Sequence, residues 1–291
     1  MSYLIVTILL NVLLTVIFKL FPRYNINALQ AIVVNYWVCV ITGSLFLGRF
    51  PINAAGFGEP WLPWAMLIGT GFFTVFNIIA YCTRVDGITT ATIANKLSLV
   101  IPVLFSLFLY SEHAGPLKIA GIVLAFPAVY LTARVKGEDD KVHNMTWPVL
   151  LFIGSGLLDT LVKYSEQAYL HTPEQHAVFP IYTFATAAVV GTCTLLFLVL
   201  AKKTRLQPRN IIAGIILGIP NYFSIYFLIV LLHSGFLQSS AAIPVNNIGI
   251  LLVSALAGLA FFREKITMYR IAGLLLSILA ILLIVFSDLN G

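Results

Sequence analysis

A chain of 291 residues that is 60% hydrophobic and 10% charged, with a mean hydropathy of +0.98, falls outside the ordinary soluble classes, and no polar stretch is long enough to form a separate soluble module. The net charge of +6 would suit nucleic acid, but Lys and Arg sit in short connections between apolar runs. That distribution points to a membrane surface and away from nucleic acid.

A helix needs about 20 apolar residues to cross a bilayer. Ten such runs follow in order at 2–19, 28–48, 61–83, 88–110, 116–134, 146–168, 175–200, 209–232, 237–261 and 267–287. The first lacks a basic n-region and a small-residue cleavage site, so it reads as a retained helix. Backbone groups need internal partners in hydrocarbon, so each run is expected to be a helix without irregular segments. The alternation of barrel strands is missing. The fold class is an all-α integral membrane protein.

Connections after spans 1, 3, 5, 7 and 9 carry nearly all the basic residues, from Lys19 and Arg23 to Arg263, Lys265 and Arg270. The others carry only Arg49 and Lys118. The positive-inside rule then sets the odd-numbered connections in the cytoplasm and both termini outside.

The chain also repeats itself. Asn95, Glu112 and Gly121 punctuate residues 91–131, and Asn247, Glu264 and Gly273 punctuate residues 243–283 at an offset of 152. Earlier spans repeat at an offset of 148, pairing Asn11 with Asp159, Gly43 with Gly191 and Gly87 with Gly235. Two repeats of five helices each, 1–135 and 146–291, must enter the membrane with opposite orientation, joined by a polar cytoplasmic linker at 136–145.

Polar groups at membrane depth mark the candidate site, because they are costly there unless they face a cavity or a partner. Asp159 and Lys163 lie one turn apart in span 6, either as a self-neutralising pair or open to a substrate or proton; Glu166 is nearer the helix end and reaches water. Lys96 follows Asn95 with no acidic residue within a turn, so its partner comes from another helix or from an anionic ligand. Asn246 and Asn247 occupy the matching part of span 9, as packing amides or as solute ligands. Asn11, Asn35, Asn77 and Asn221 add amides, and Tyr36, Trp37, Tyr222 and Tyr226 add aromatic walls, which suits a polar organic solute better than a bare ion. Pro102, Pro127, Pro180, Pro220 and Pro244 can kink their spans, and Gly214 with Gly218 and Ser254 with Gly258 permit close helix contact.

Cys39, Cys82 and Cys193 all lie within spans and are expected as buried thiols. No metal, cofactor or enzyme motif is present, so no cofactor and no catalytic residue is expected, and ATP hydrolysis within the chain is excluded as a source of energy.

The pattern resembles the drug/metabolite transporter superfamily, in its EamA-type ten-helix form. The likeness rests on residues 87–121, with IPVLFSLFLYSEH ahead of KIAG, and on residues 243–273, with ILLVSALAGLAFFREK ahead of RIAG. It implies two inverted five-helix repeats around a central cavity, working by alternating access, with spans 5 and 10 at the periphery where two copies would meet as a homodimer. Ala94-Asn95-Lys96 also looks like part of the LNK signature of nucleotide-sugar carriers, although theirs lies in span 9, where Ile248 follows Asn247 here. The expected function is secondary transport of a small polar metabolite, an amino acid or related carboxylate, with protons as candidate coupling ions. Lys96 would hold the negative group, Asp159 with Lys163 the amine or the proton, and the Asn residues would orient the solute. Glu112 and Glu264 are expected as helix caps or loop anchors. The alternatives are a lipid flippase subunit, a membrane interaction protein, or a nucleotide-sugar or sugar-phosphate exchanger.

Overall fold

The computed structural model describes residues 2–53, 55–109, 115–133, 145–233, 239–264 and 267–290. Among them are eleven α-helices and no strand: α1 Ser2–Leu20, α2 Ala28–Leu47, α3 Leu62–Val85, α4 Ile88–Leu97, α5 Val100–Leu109, α6 Pro116–Ala133, α7 Thr146–Tyr169, α8 Pro173–Leu200, α9 Pro208–His233, α10 Ser239–Phe262 and α11 Met268–Asn290. Among the described residues, nine apolar stretches have the length and composition to cross a membrane, with Ile88–Phe105 counted across α4 and α5, and Pro116–Leu131 adds a shorter one. Large apolar side chains cover the exterior, with Leu45 and Phe261 each 77% exposed and Met268 79%. Water would disfavour such a surface, whereas hydrocarbon accepts it.

The fourth span departs from expectation: it is two helices, interrupted at Ser98 and Leu99. Pro102 is the cause. It has no N–H to give to the carbonyl of Ser98, and its ring crowds that same carbonyl. The Ser98 carbonyl is taken by Ile101 N–H at 2.9 Å, and the Ser98 hydroxyl donates back to the Asn95 carbonyl. Pro127, Pro180 and Pro220 lie inside α6, α8 and α9, which continue through them.

The chain forms two compact units. The first comprises residues 1–19, 78–157 and 224–291, and the second residues 20–77 and 158–223. Each draws on both halves of the sequence. Except for Met145, the expected linker 136–145 lies outside the described residues, as do Glu112 and Gly235.

In the first unit the broadest helix contact is α6 against α11, where Ala125, Ala128 and Ala280 are fully buried. A Cβ on Gly121 would lie 2.7 Å from the Ala280 carbonyl oxygen, so only glycine allows this approach. α4 packs on α10, and Ile93, Leu97 and Leu251 join the same buried cluster. α1 reaches α10 through Val12 and Ile250, with Ile8 alongside.

In the second unit α2 packs on α8. A Cβ on Gly43 would come within 3.1 Å of Ile181, and one on Gly191 within 2.8 Å of Val33. Gly191 and Ile181 stand 148 positions beyond Gly43 and Val33, so a shift of 148 positions turns one contact into the other. α9 lies against α2 through Gly214 and Gly218, whose missing side chains admit Val34 and Val38. Helix ends are set locally. Asn27 caps α2 by accepting the Gln30 N–H, Gly48 closes it in the left-handed conformation, and Thr172 with Gln175 forms a capping box ahead of Pro173 on α8.

Candidate functional site

The polar residues of the first unit gather on three packed helices and α7. Asn95 and Lys96 are half-buried on the last turn of α4, next to the break before α5. The Asn95 amide donates to the Ser155 hydroxyl of α7 at 2.9 Å. On α10, Asn246 and Asn247 are buried, at 2% and 8% exposure. The side-chain oxygen of Asn246 accepts no hydrogen bond among the described residues. Asn11 of α1 lies a turn from Ile8, which packs on Gly249 of α10, and its amide donates to the Thr7 carbonyl at 2.9 Å. Lys96 is engaged within the protein, as is Tyr226 on α9.

A second polar cluster of this unit centres on Glu264. α4 begins at Gly87 with φ of 98°, and it has neither a side-chain cap nor an acidic residue in its first turn. The Glu264 carboxylate supplies both functions from the end of α10. It accepts the Ile88 N–H at 2.8 Å and the Thr89 hydroxyl at 3.2 Å. Lys19 and Arg270 flank it at 3.6 Å and 3.8 Å. Each also donates to a backbone carbonyl at 3.0 Å, Lys19 to Thr83 and Arg270 to Asp86. A carboxylate at a helix N-terminus is favoured by the aligned peptide dipoles. A Cβ on Gly87 would sit 2.7 Å from the carboxylate, so a side chain there would collide as well as strain the backbone. Glu264 is thus the anchor its position led us to expect.

The remaining candidates belong to the second unit. Asp159 is exposed and Lys163 half-buried, and both are engaged within the protein. Asn77 gives its amide to the Phe73 carbonyl at 2.7 Å. Asn221 donates to Asn35 at 3.1 Å and lies 3.5 Å from the Cys39 sulfur. Tyr36 is buried and its hydroxyl donates to the Phe72 carbonyl at 2.8 Å. Tyr222 packs over Gly43, and Trp37 donates its indole N–H to Thr192 at 2.9 Å. Cys39 and Cys82 are buried, but Cys193 is exposed, which corrects the expectation of three buried thiols. The outward face of a membrane helix meets lipid, so an apolar span need not bury every thiol it carries.

Sequence reasoning missed several groups. Ser155 is a small hydroxyl in an apolar run, and its place four residues before Asp159 was the only signal. Gln30, Thr204 and Asn210 tie the α1–α2 and α8–α9 connections together: Gln30 donates to Thr204 at 2.9 Å and accepts from Asn210 at 2.6 Å.

No family model matches the chain. An uncharacterized protein of Haemophilus influenzae is 27% identical over 297 residues, covering 99% of this chain and 99% of its own. A solved crystal structure is similar over 98% of this chain and 99% of its own, with a TM-score of 0.58 and 14% identity. That likeness speaks for the fold alone. The fold, with its apolar helices and apolar exterior, is that of a multi-pass α-helical membrane protein.

Proposed function

We propose that this chain is a secondary transporter of EamA type that moves a small polar metabolite, an amino acid or related carboxylate, across the bacterial inner membrane by alternating access. The observation that carries the reading is the interrupted α4–α5 span, with Asn95 and Lys96 at its break and the buried amides of Asn246 and Asn247 on the α10 helix packed against α4. The break sets Asn95 and Lys96 at the end of a half-helix, and a lysine there suits a carboxylate. Further support comes from three contacts that join spans equivalent under the sequence repeat: α2 with α8, α4 with α10, and α6 with α11. Such pairing is what two inverted repeats would produce. Asp159 and Lys163 on α7 are the candidates for a coupling proton.

Transport needs a site that binds in two states of similar energy. Amides and one lysine can do this by exchanging internal partners for solute, without stranding a full charge in hydrocarbon. Purified protein tested by thermal unfolding against amino acids and carboxylates is expected to be stabilised by its substrate through mass action. The shift should disappear in Lys96→Ala while the unliganded midpoint holds. A panel that stabilises neither protein, with Lys96→Ala unfolding early, would make Lys96 a structural residue and count against the proposal.

A further inference from the structure

The second unit contains a pocket of about 280 Å³ where the α2–α3 connection meets the first turn of α8. None of the residues that the sequence marked as a candidate site lines it. Its charges are Arg49, Glu59 and Glu174. Arg49 is ion-paired with Glu174, and Glu59 forms no ion pair with any described residue, so the pocket holds one net negative charge.

The aromatic wall is tied to the α2–α3 connection. The Tyr182 hydroxyl accepts the Asn53 N–H at 3.2 Å and donates to the Pro51 carbonyl at 3.1 Å. Trp61 stands edge-on to Tyr182 at 5.1 Å between ring centroids and is 2% exposed. Its indole N–H finds no acceptor among the described residues. A buried donor left without an acceptor is destabilising.

We infer that this pocket binds a small zwitterionic solute of the α-amino-acid class. The ammonium group meets Glu59 and Glu174, and the carboxylate meets Arg49, with the Trp61 ring in the wall beside them. Ligand pockets commonly span about 300–1,000 Å³, so a volume at the low end suits an amino acid and is too small for a nucleotide sugar or a lipid with its chains. The pocket lies at the ends of spans, in even-numbered connections. Its role as a capture site on the outer face, ahead of translocation, rests on the transporter reading; the binding itself does not.

The test is titration of the full-length protein with L-alanine, L-lysine, acetate and methylamine, following the indole N–H resonance of Trp61 by NMR, assigned with Trp61→Phe. L-alanine and L-lysine are expected to shift the resonance saturably, and acetate and methylamine to bind at least about tenfold more weakly. Glu59→Gln should weaken L-lysine by about tenfold with an unchanged unfolding midpoint. A Trp61 resonance that moves with neither amino acid, or an L-lysine affinity indifferent to Glu59→Gln, overturns the inference. If Trp61 stays silent while a Lys96-dependent thermal shift is present, the pocket fails and the transporter reading stands. If Trp61 responds as expected in a protein that catalyses no amino-acid exchange, the pocket stands and the transporter reading fails.

Discussion

The Glu264 carboxylate accepts the amide proton of Ile88 at 2.8 Å, across 176 positions of sequence. One side chain from the end of α10 thereby fixes the start of α4, the helix that presents Asn95 and Lys96. Glu264 is also an acidic partner that Lys19 and Arg270 share at that end of the unit.

Removing the carboxylate and removing only its charge should therefore differ. Glu264→Ala takes a shared anion from two cations and the capping acceptor from a helix N-terminus, and should cost about 3–5 kcal/mol. Glu264→Gln keeps one acceptor for the Ile88 N–H and should cost about 1–3 kcal/mol. Unfolding midpoints of the two variants in one detergent check the order.

Helix approach in the second unit depends on two glycines that stand 148 positions apart. Gly43→Leu and Gly191→Leu should each destabilise by about 1–3 kcal/mol or more, because Ile181 and Val33 already fill the space a side chain would need. Gly58→Ala, with nothing near its Cβ, should be close to neutral. Thermal unfolding of the three variants decides the point.

Asn246 offers a sharper separation of stability from function. Its side-chain oxygen is buried without a partner among the described residues. Asn246→Leu should leave the unfolding midpoint unchanged or raise it, by up to about 1–3 kcal/mol of relieved desolvation. The same variant should lose substrate-dependent stabilisation. A drop in midpoint with retained ligand response would make Asn246 a packing residue.

Pro102 sets the interruption between α4 and α5. Pro102→Ala restores an N–H for the Ser98 carbonyl and should stabilise the span by up to about 3 kcal/mol, the usual cost of an internal proline. A continuous helix should slow exchange of solute at least about tenfold. Exchange rates of reconstituted wild type and variant, measured beside their midpoints, check both halves of this expectation.

The spans were legible because hydrocarbon imposes a length and a composition that no other context demands. Glu264 was legible too, since a carboxylate at a helix end beside cations has few other uses. The interruption at Ser98 was harder to read: five prolines lie within spans, and the sequence does not say which of them breaks its helix. Pro102 does so with Ser98, whose hydroxyl bonds backward to Asn95, while Pro127, Pro180 and Pro220 are carried within continuous helices. Ser155 and the pocket around Trp61 escaped notice for a related reason. Each is assembled from segments far apart in the chain, and connections such as 48–61 have no periodicity to betray what they face.

Counterflow of radiolabelled amino acids in proteoliposomes tests the central claim most directly, with wild type, Lys96→Ala and Asn95→Ala reconstituted at equal density. The account predicts saturable exchange of one amino acid or related carboxylate by wild type. It also predicts a loss of at least about a hundredfold, or roughly 2.7 kcal/mol, in Lys96→Ala with unchanged unfolding. Exchange that is absent from wild type for the whole panel, or that survives Lys96→Ala intact, would contradict it, and lipid scrambling in the same vesicles would point to a flippase instead.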